Sequence, residues 1–392
     1  MARSVTGSRW AAIVGYSLVG AATQLVWLNF AGVTTVAASH YGVSESAIGW
    51  LAQVFPLLYV VLAIPCGLVL DRWFRGGLIA GAVLTAVGAA VRLIGDDYGW
   101  LLAGQIVASV AQPLVLNAVT GITGRYLDEK DRPTGIAVGT ASIFAGMVIA
   151  FLLSAVFPSS VDPMLTVTAA FCVAAAGVLI VALRTEGVYE ATRPLERGAL
   201  RIAWGDSLIR RLCVLAIFPF GVFVALSTFA QALLEPAGVS GGTASTILLV
   251  NVVAGVLGSA VIPILVVRRR AESTLLMVSL GTTAIACVVL AVAPGVVTGF
   301  IAITLIGLLL LPALPIVLEL VERRTGEAEG TAAGLIWMAG NLGGLLVAVV
   351  VGLLVDHPFA AFVVMAGIAL VAVPGARALN RPIAELRSLS RL

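Results

Sequence analysis

Three uncharged side chains inside long apolar segments, Trp27, Gln112 and Asn341, are the residues of this sequence best suited to binding a ligand. An indole face attracts an organic cation by about 0.5–2 kcal/mol, and a side-chain amide offers both hydrogen-bond donors and an acceptor. Both amides lie near the middle of their segments, where an unpaired polar group is costly. Trp27 lies too deep for the interfacial belt that holds most membrane tryptophans. This set predicts a chamber for a weakly hydrated organic cation or a neutral polar solute.

Each of these side chains also has an ordinary structural explanation, which the sequence leaves open. Gln112 and Asn341 could instead hydrogen-bond to a neighbouring helix, an interaction worth about 0.6–2 kcal/mol in a membrane, and Trp27 could simply pack. Trp337 lies four residues before Asn341 and therefore shares its helical face. Asn29 lies close to Trp27 but on another face of the helix. We predict all five residues as substrate contacts.

The elements that position these side chains are predicted to be transmembrane helices. The chain has 392 residues, of which 60% are hydrophobic and only 11% charged, and its mean hydropathy is +1.10. A soluble domain of this length could not bury so much apolar surface. A helical span needs about 20 apolar residues and satisfies its backbone groups internally. We therefore predict an all-α membrane protein in which twelve spans use nearly the whole sequence.

Basic residues determine the predicted topology. Every Lys and Arg except Arg92 lies in alternate gaps between apolar segments or at the two ends of the chain. Because Lys and Arg near span ends are retained on the cytoplasmic side, both termini are predicted to be cytoplasmic, with the protein in a cell membrane. The net charge of +3 then reflects topology. The expected partners are the lipid bilayer and a small-molecule substrate, with no nucleic acid, and the expected state is a monomer.

The predicted spans form two halves. Residues 1–184 are an N-terminal six-helix bundle, 185–211 a cytoplasmic linker, 212–375 a C-terminal six-helix bundle and 376–392 a cytoplasmic tail. The spans are predicted over 10–36, 47–70, 77–95, 99–124, 134–157, 163–184, 212–234, 243–267, 274–293, 295–322, 330–354 and 357–375. Each half contains a helix rich in small residues, which let helices approach closely. Such paired halves are typical of transporters that work by alternating access.

Two further patterns concern motion and chemistry. Pro312 and Pro315 disrupt neighbouring helical hydrogen bonds, so we expect a kink at this place that flexes during transport.

The four cysteines occur singly, and the sequence contains no nucleophile elbow, zinc-protease motif or phosphate-binding loop. We therefore expect no enzyme activity, no catalytic residues, no cofactor and no metal ligands.

The predicted membrane interior also lacks Asp, Glu, Lys and His. Because proton-coupled carriers generally need a titratable group in the transport path, this absence favours a uniporter. A proton-coupled exporter of drugs or metabolites is the first alternative. A receptor that binds without transporting is the second.

The connection after span 2 reads Gly67-Leu68-Val69-Leu70-Asp71-Arg72-Trp73-Phe74-Arg75-Gly76. It resembles the signature of the major facilitator superfamily between the second and third helices. The resemblance implies a twelve-helix fold in which Asp71, with Arg72 and Arg75, closes the cytoplasmic side, because a carboxylate is stabilised by a helix N-terminus and nearby Arg. A solvated turn is the alternative. The equivalent connection after span 8 is Val267-Arg268-Arg269-Arg270 and lacks the aspartate.

Several further strings follow in order along the chain: His40-Tyr41-Gly42-Val43-Ser44, Ser109-Val110-Ala111-Gln112-Pro113, Phe223-Val224-Ala225-Leu226-Ser227-Thr228 and Glu329-Gly330-Thr331. Together they resemble the haem and choline transporter family that includes the feline leukaemia virus subgroup C receptors. This resemblance implies facilitated transport of choline, with Trp27 as the aromatic face and Gln112 and Asn341 as polar contacts.

One position departs from that family. Val224 stands where the family has a tyrosine in span 7, which removes half of the aromatic box. Phe223 and Trp337 are the candidates to compensate. Haem is the weaker substrate, because neither His40 nor His357 lies near the midplane to ligate iron. The sequence therefore predicts a uniporter of a choline- or ethanolamine-like amine.

Overall fold

The structure, a computed structural model, describes residues 8–187, 204–269, 271–313, 316–317, 320 and 329–379. Within these ranges no residue belongs to a β-strand and every regular element is a helix. Ten helical segments of the described chain are long and apolar enough to cross a membrane. The two helical segments Ala141–Val156 and Val296–Leu310 are apolar but shorter. The predicted all-α membrane fold is confirmed.

In chain order the described helices are α1 (Trp10–Leu28), α2 (Thr34–Tyr41), α3 (Glu45–Val91), α4 (Tyr98–Leu116), α5 (Val119–Tyr126), α6 (Arg132–Val156), α7 (Val161–Ala182), α8 (Ser207–Leu234), α9 (Gly241–Arg269), α10 (Glu272–Val292), α11 (Val296–Leu310), α12 (Glu329–Gly352) and α13 (Pro358–Ala378). Short 3₁₀ helices cover Glu129–Asp131 and Glu235–Ala237.

Span 1 is interrupted, whereas the sequence predicted one helix over 10–36. Helix α1 ends at Leu28 and α2 begins at Thr34. The intervening turn is closed locally, because the Val33 N–H and the Thr34 hydroxyl both donate to the carbonyl of Phe30, at 3.0 and 3.1 Å. The segment contains no proline, so its composition did not indicate the break.

Three other boundaries differ from the predicted spans. Spans 2 and 3 are joined within α3 by a single non-helical residue, Trp73 (φ −136°, ψ 59°). Span 4 is divided into α4 and α5, and the side chain of Asn117 at the division donates to the carbonyl of Ala63 at 3.1 Å. Helix α11 ends at Leu310, two residues before Pro312, where the prolines were expected to disrupt it. Pro315 lies outside the described residues.

The described residues divide into two compact units. One consists of those within Met1–Asn29, Val61–Leu153 and Ser160–Glu196, and the other of those within Phe30–Val60, Ser154–Ser159 and Arg197–Leu392. In the first unit α1 packs against α4, α5 and α7. In the second unit α8 packs along α12, α9 along α11, and α10 along α13.

Glycines allow close helix packing in both units, as the small-residue pattern predicted. A Cβ at Gly146 of α6 would lie 2.2 Å from the carbonyl oxygen of Ala21 in α1. A Cβ at Gly343 of α12 would lie 2.1 Å from the carbonyl oxygen of Ile217 in α8. Because no real Cβ approaches an oxygen so closely, only glycine permits these two helix crossings.

Candidate functional site

Trp27 lies in the last turn of α1, with 4% of its surface exposed. The preceding residue is held from α4, since Gln105 Nε2 donates to the carbonyl oxygen of Val26 at 3.4 Å. Arg92 Nη1 in turn donates to Gln105 Oε1 at 3.5 Å, and both side chains are buried. The C-terminal end of a helix carries partial negative charge. The backbone of Trp27 therefore belongs to a helix turn whose carbonyls carry partial negative charge.

Gln112 lies on the same helix as Gln105, two turns further along α4. The helix is fixed at its start by Asp97, whose side chain accepts hydrogen bonds from the backbone N–H groups of Gly99 and Trp100 at 2.8 and 3.2 Å. Gln112 is 3% exposed, and its Oε1 has no hydrogen-bond partner among the described residues. Leaving a buried acceptor unpaired costs about 1–3 kcal/mol. This oxygen is therefore suited to accept a hydrogen bond from a ligand.

Asn29 is fully buried at the start of the turn between α1 and α2. The sequence expected it on a helix, close to Trp27 but on another face. It caps the end of α1 instead, so its backbone belongs to the interruption of span 1.

An aromatic pair lies in the second unit, between α8 and α12. The rings of Phe220 and Trp337 meet edge to face, with centroids 6.0 Å apart and an interplanar angle of 82°. Asn341 Nδ2 donates to the carbonyl of Trp337 at 2.8 Å, which confirms that these two residues share a helical face. Phe223 is buried one turn along α8 from Phe220. Trp337 is half-buried.

Val224, at the position of the expected tyrosine, packs towards α12. Its Cγ2 lies 3.0 Å from where a Cβ of Gly344 would be, and its exposure is zero. The larger aromatic surface near this level of α8 comes from Phe220 and Trp337.

Polar side chains also join α2 and the start of α3 to the C-terminal half of α8, and we call this set the α8 contact: Thr34, Thr35, Gln53, Thr228 and Gln231. Gln53 Nε2 donates to Thr228 Oγ1 at 3.2 Å. The backbone N–H of Thr35 donates to Gln231 Oε1 at 2.8 Å, and Gln231 Nε2 donates to Thr35 Oγ1 at 2.9 Å. The whole α8 contact lies within the second unit.

Two carboxylates adjoin the α8 contact at Thr35. Thr35 Oγ1 is 2.9 Å from Glu45 Oε1 and also hydrogen-bonds to Glu235 Oε2. Gln231 Nε2 donates to the same oxygen of Glu235 at 2.6 Å. A single hydroxyl hydrogen cannot serve two carboxylates at once, so this corner is rich in acceptors.

The expected cytoplasmic gate is described only in part. The side chain of Asp71 lies outside the described residues. The guanidinium of Arg72 stacks 4.9 Å from the ring centroid of Trp73, and Arg75 is exposed. The neighbouring Phe74 ring is covered by the guanidinium of Arg125 at 4.1 Å. A latch formed by Asp71, Arg72 and Arg75 stays a prediction.

The family to which this chain belongs is shown by its similarity to known proteins. Residues 10–348 match the family model of the Major Facilitator Superfamily. The chain belongs to the major facilitator superfamily. Solute carrier family 49 member A3 of Danio rerio is 26% identical to it over 361 residues, which cover 85% of this chain and 76% of that protein. Choline/ethanolamine transporter flvcr2a of Danio rerio is 23% identical over 380 residues, 89% of this chain and 81% of that protein.

The fold of this major facilitator agrees with solved structures. The crystal structure of the nucleoside transporter NupG superposes with a TM-score of 0.72 and covers 94% of this chain and 98% of that chain, at 13% sequence identity. Identity this low supports the fold alone. The family match and the relatives confirm both predicted resemblances.

The sequence did not identify several residues that the structure brings together. Phe220 lies three residues before Phe223, so helical spacing could have placed it on the same side of α8. Nothing in the sequence links Gln53 to Thr228 or Thr35 to Gln231, because these partners are 175 and 196 residues apart.

Proposed function

We propose that this major facilitator carries a choline- or ethanolamine-like amine across the cell membrane by facilitated uniport. The observation that carries the proposal is that one compact unit contains both a buried tryptophan in the last turn of a helix and a buried unpaired amide acceptor. Trp27 and Gln112 are those residues. The name of the Danio rerio relative flvcr2a, which matches along 89% of the chain, supports the same substrate class.

The chemistry of an amino alcohol matches these groups. Its ammonium is attracted to an indole face and to the negative end of a helix dipole. Gln112 Oε1, which lacks a described partner, can accept a hydrogen bond from the ammonium of ethanolamine. Within the second unit, Trp337 and Asn341 offer a ring and an amide of their own, with Trp337 in place of the span 7 tyrosine. Phe223 and Asn29, both buried, stay predicted substrate contacts.

The topology in the proposal follows the basic residues. Both termini and the 185–211 connection face the cytoplasm, and Asp71 with Arg72 and Arg75 closes that side. Alternating access moves the two six-helix halves, 1–184 and 212–375, relative to the membrane.

Uptake into proteoliposomes tests the proposal. Labelled choline and ethanolamine should accumulate to equilibrium with and without a pH gradient. Trp27→Ala should lower choline flux at least about tenfold, because it removes the cation–π contact and part of the packing. Trp100→Ala, which changes an exposed tryptophan of the same unit, is the control. Binding of choline without any flux, or flux of neither amine, would overturn the proposal.

A second candidate, proton-coupled export, is favoured by one observation. Glu45 and Glu235 converge on Thr35, which places carboxylates at the α8 contact although the sequence puts none near the midplane. Under this alternative, flux in the same vesicles would require the pH gradient, and Glu45→Gln would make that flux independent of the gradient.

A further inference from the structure

Gln53 is a buried amide whose nitrogen is hydrogen-bonded and whose oxygen has no described partner. It lies eight residues into α3, about 12 Å from the start of the helix, and is 1% exposed. Its Nε2 donates to Thr228 Oγ1 at 3.2 Å. Its Oε1 is buried and has no hydrogen-bond partner among the described residues.

Thr228 fixes the orientation of the Gln53 amide. The Thr228 hydroxyl donates its only hydrogen to the carbonyl of Val224 at 2.8 Å, so its oxygen can only accept from Gln53. Exchanging the oxygen and nitrogen of the amide would bring two acceptors together. The free group of Gln53 is therefore the acceptor, in the orientation that the structure has.

An unpaired buried acceptor destabilises the folded protein, a penalty that Leu or Met at this position would not incur. Buried polar atoms without partners are rare in folded proteins and call for an explanation, such as a functional role or a bound water. The unpaired Gln53 Oε1 indicates that the α8 contact meets a polar ligand when α3 and α8 separate.

We infer that Gln53 Oε1 is a substrate contact that accepts a hydrogen bond from the hydroxyl of an amino alcohol. This inference rests on the proposed function and adds a residue of α3 to the contacts that Trp337 and Asn341 offer within the second unit. The ligand group must be a donor, because Oε1 can only accept. The ammonium of choline has no N–H, so its hydroxyl is the group that Gln53 can recognise. Gln53 therefore discriminates choline from tetramethylammonium, which has the same charge and no hydroxyl.

Inhibition of labelled choline uptake by unlabelled choline and by tetramethylammonium tests this assignment. In Gln53→Met, half-inhibition by choline should require about three- to tenfold more ligand, the loss expected for one neutral hydrogen bond, whereas inhibition by tetramethylammonium should change by less than about twofold. Thr228→Val is the matched control. It removes the partner of Gln53 Nε2 but leaves the Oε1 acceptor, so the preference for choline over tetramethylammonium should persist.

The outcomes separate the two claims. If wild-type vesicles take up neither choline nor ethanolamine, the proposed function fails and this inference fails with it. If wild-type vesicles take up choline, but Gln53→Met shifts both inhibitors equally, as Thr228→Val does, then Gln53 only holds the helices together and the inference alone is overturned. Melting temperatures of both purified variants within a few degrees of wild type ensure that folded protein is compared.

Discussion

Gln105 of α4 donates a hydrogen bond to the carbonyl oxygen of Val26, the residue immediately before Trp27, across 3.4 Å. A buried arginine, Arg92, holds the other end of that amide at 3.5 Å. The chain of contacts from Arg92 to Val26 thus fixes the last turn of α1, which carries Trp27, the proposed aromatic contact of the substrate. We therefore expect Gln105 to affect substrate binding without contacting the substrate, by holding the turn that carries Trp27.

Gln105→Met should therefore weaken choline binding. Met occupies a similar volume but cannot donate to Val26, so the turn that carries Trp27 loses its support, and we expect about a three- to tenfold higher KM for choline. Ser109→Ala is the control, since it removes a bond from the Ser109 hydroxyl to the backbone carbonyl of Gln105 at 2.6 Å and leaves the amide in place. Equal losses in the two variants would show that α4 stability, and not the position of Trp27, governs KM.

The glycines at the close helix crossings should be intolerant of any side chain. Gly343→Ala places a Cβ 2.1 Å from the carbonyl of Ile217, so the helices must separate, at a cost of about 1–3 kcal/mol. Gly367→Ala in α13 meets no atom within 4 Å, and the better helix propensity of Ala should stabilise that helix by about 0.5–1 kcal/mol. Thermal unfolding in detergent measures both. A melting temperature of Gly343→Ala at or above that of Gly367→Ala would contradict the crossing as described.

The absence of a side chain at Gly49 should be needed for α3 to pack closely against α8 at the α8 contact. A Cβ at this position would lie 2.0 Å from Cε1 of Phe229, so Gly49→Ala is expected to push α3 away from α8. A cysteine introduced at Thr228 should then react at least about tenfold faster with a water-soluble maleimide, since local opening exposes it. Adding Phe229→Leu should restore slow labelling, because the ring is no longer in the way.

Gly67→Ala on the same helix, where a Cβ meets nothing within 4 Å, is the control for the labelling experiment. Fast labelling in this variant too would mean that helix α3 as a whole has loosened. Slow labelling in Gly49→Ala would mean that Phe229 does not occupy the space above Gly49 in the membrane.

Removing the Trp337 ring should weaken the binding of quaternary amines more than the binding of primary amines. A tetraalkylammonium has no N–H and depends on ring faces, so Trp337→Ala should weaken choline binding about three- to thirtyfold and ethanolamine binding less. Phe220→Leu tests whether the effect arises from the edge-to-face pair alone. Binding to purified protein by calorimetry gives the two ratios, and an equal loss for both amines would exclude a cation–π role of Trp337.

Much of the candidate site was predictable because it depends on local properties of the chain. Trp27, Gln112 and Asn341 stand out as aromatic or amide residues in apolar surroundings, and helical spacing alone related Asn341 to Trp337. The structure adds which of their atoms are paired: Asn341 donates to its own helix, whereas Gln112 Oε1 has no described partner. Pairing depends on the position of other helices, which no spacing rule supplies.

The sequence by itself determined that the chain is a bundle of membrane helices with glycine-rich crossings. Apolar segments long enough to cross the bilayer form helices in lipid, since each backbone group must be hydrogen-bonded within its own helix. Only the tertiary structure decided that span 1 breaks after Leu28 and that Gln53 meets Thr228. The break coincides with a close approach, where Ser245 donates to the carbonyl of Gly32 at 3.0 Å. Such contacts join residues about half the chain apart, so they exist only once the helices have packed.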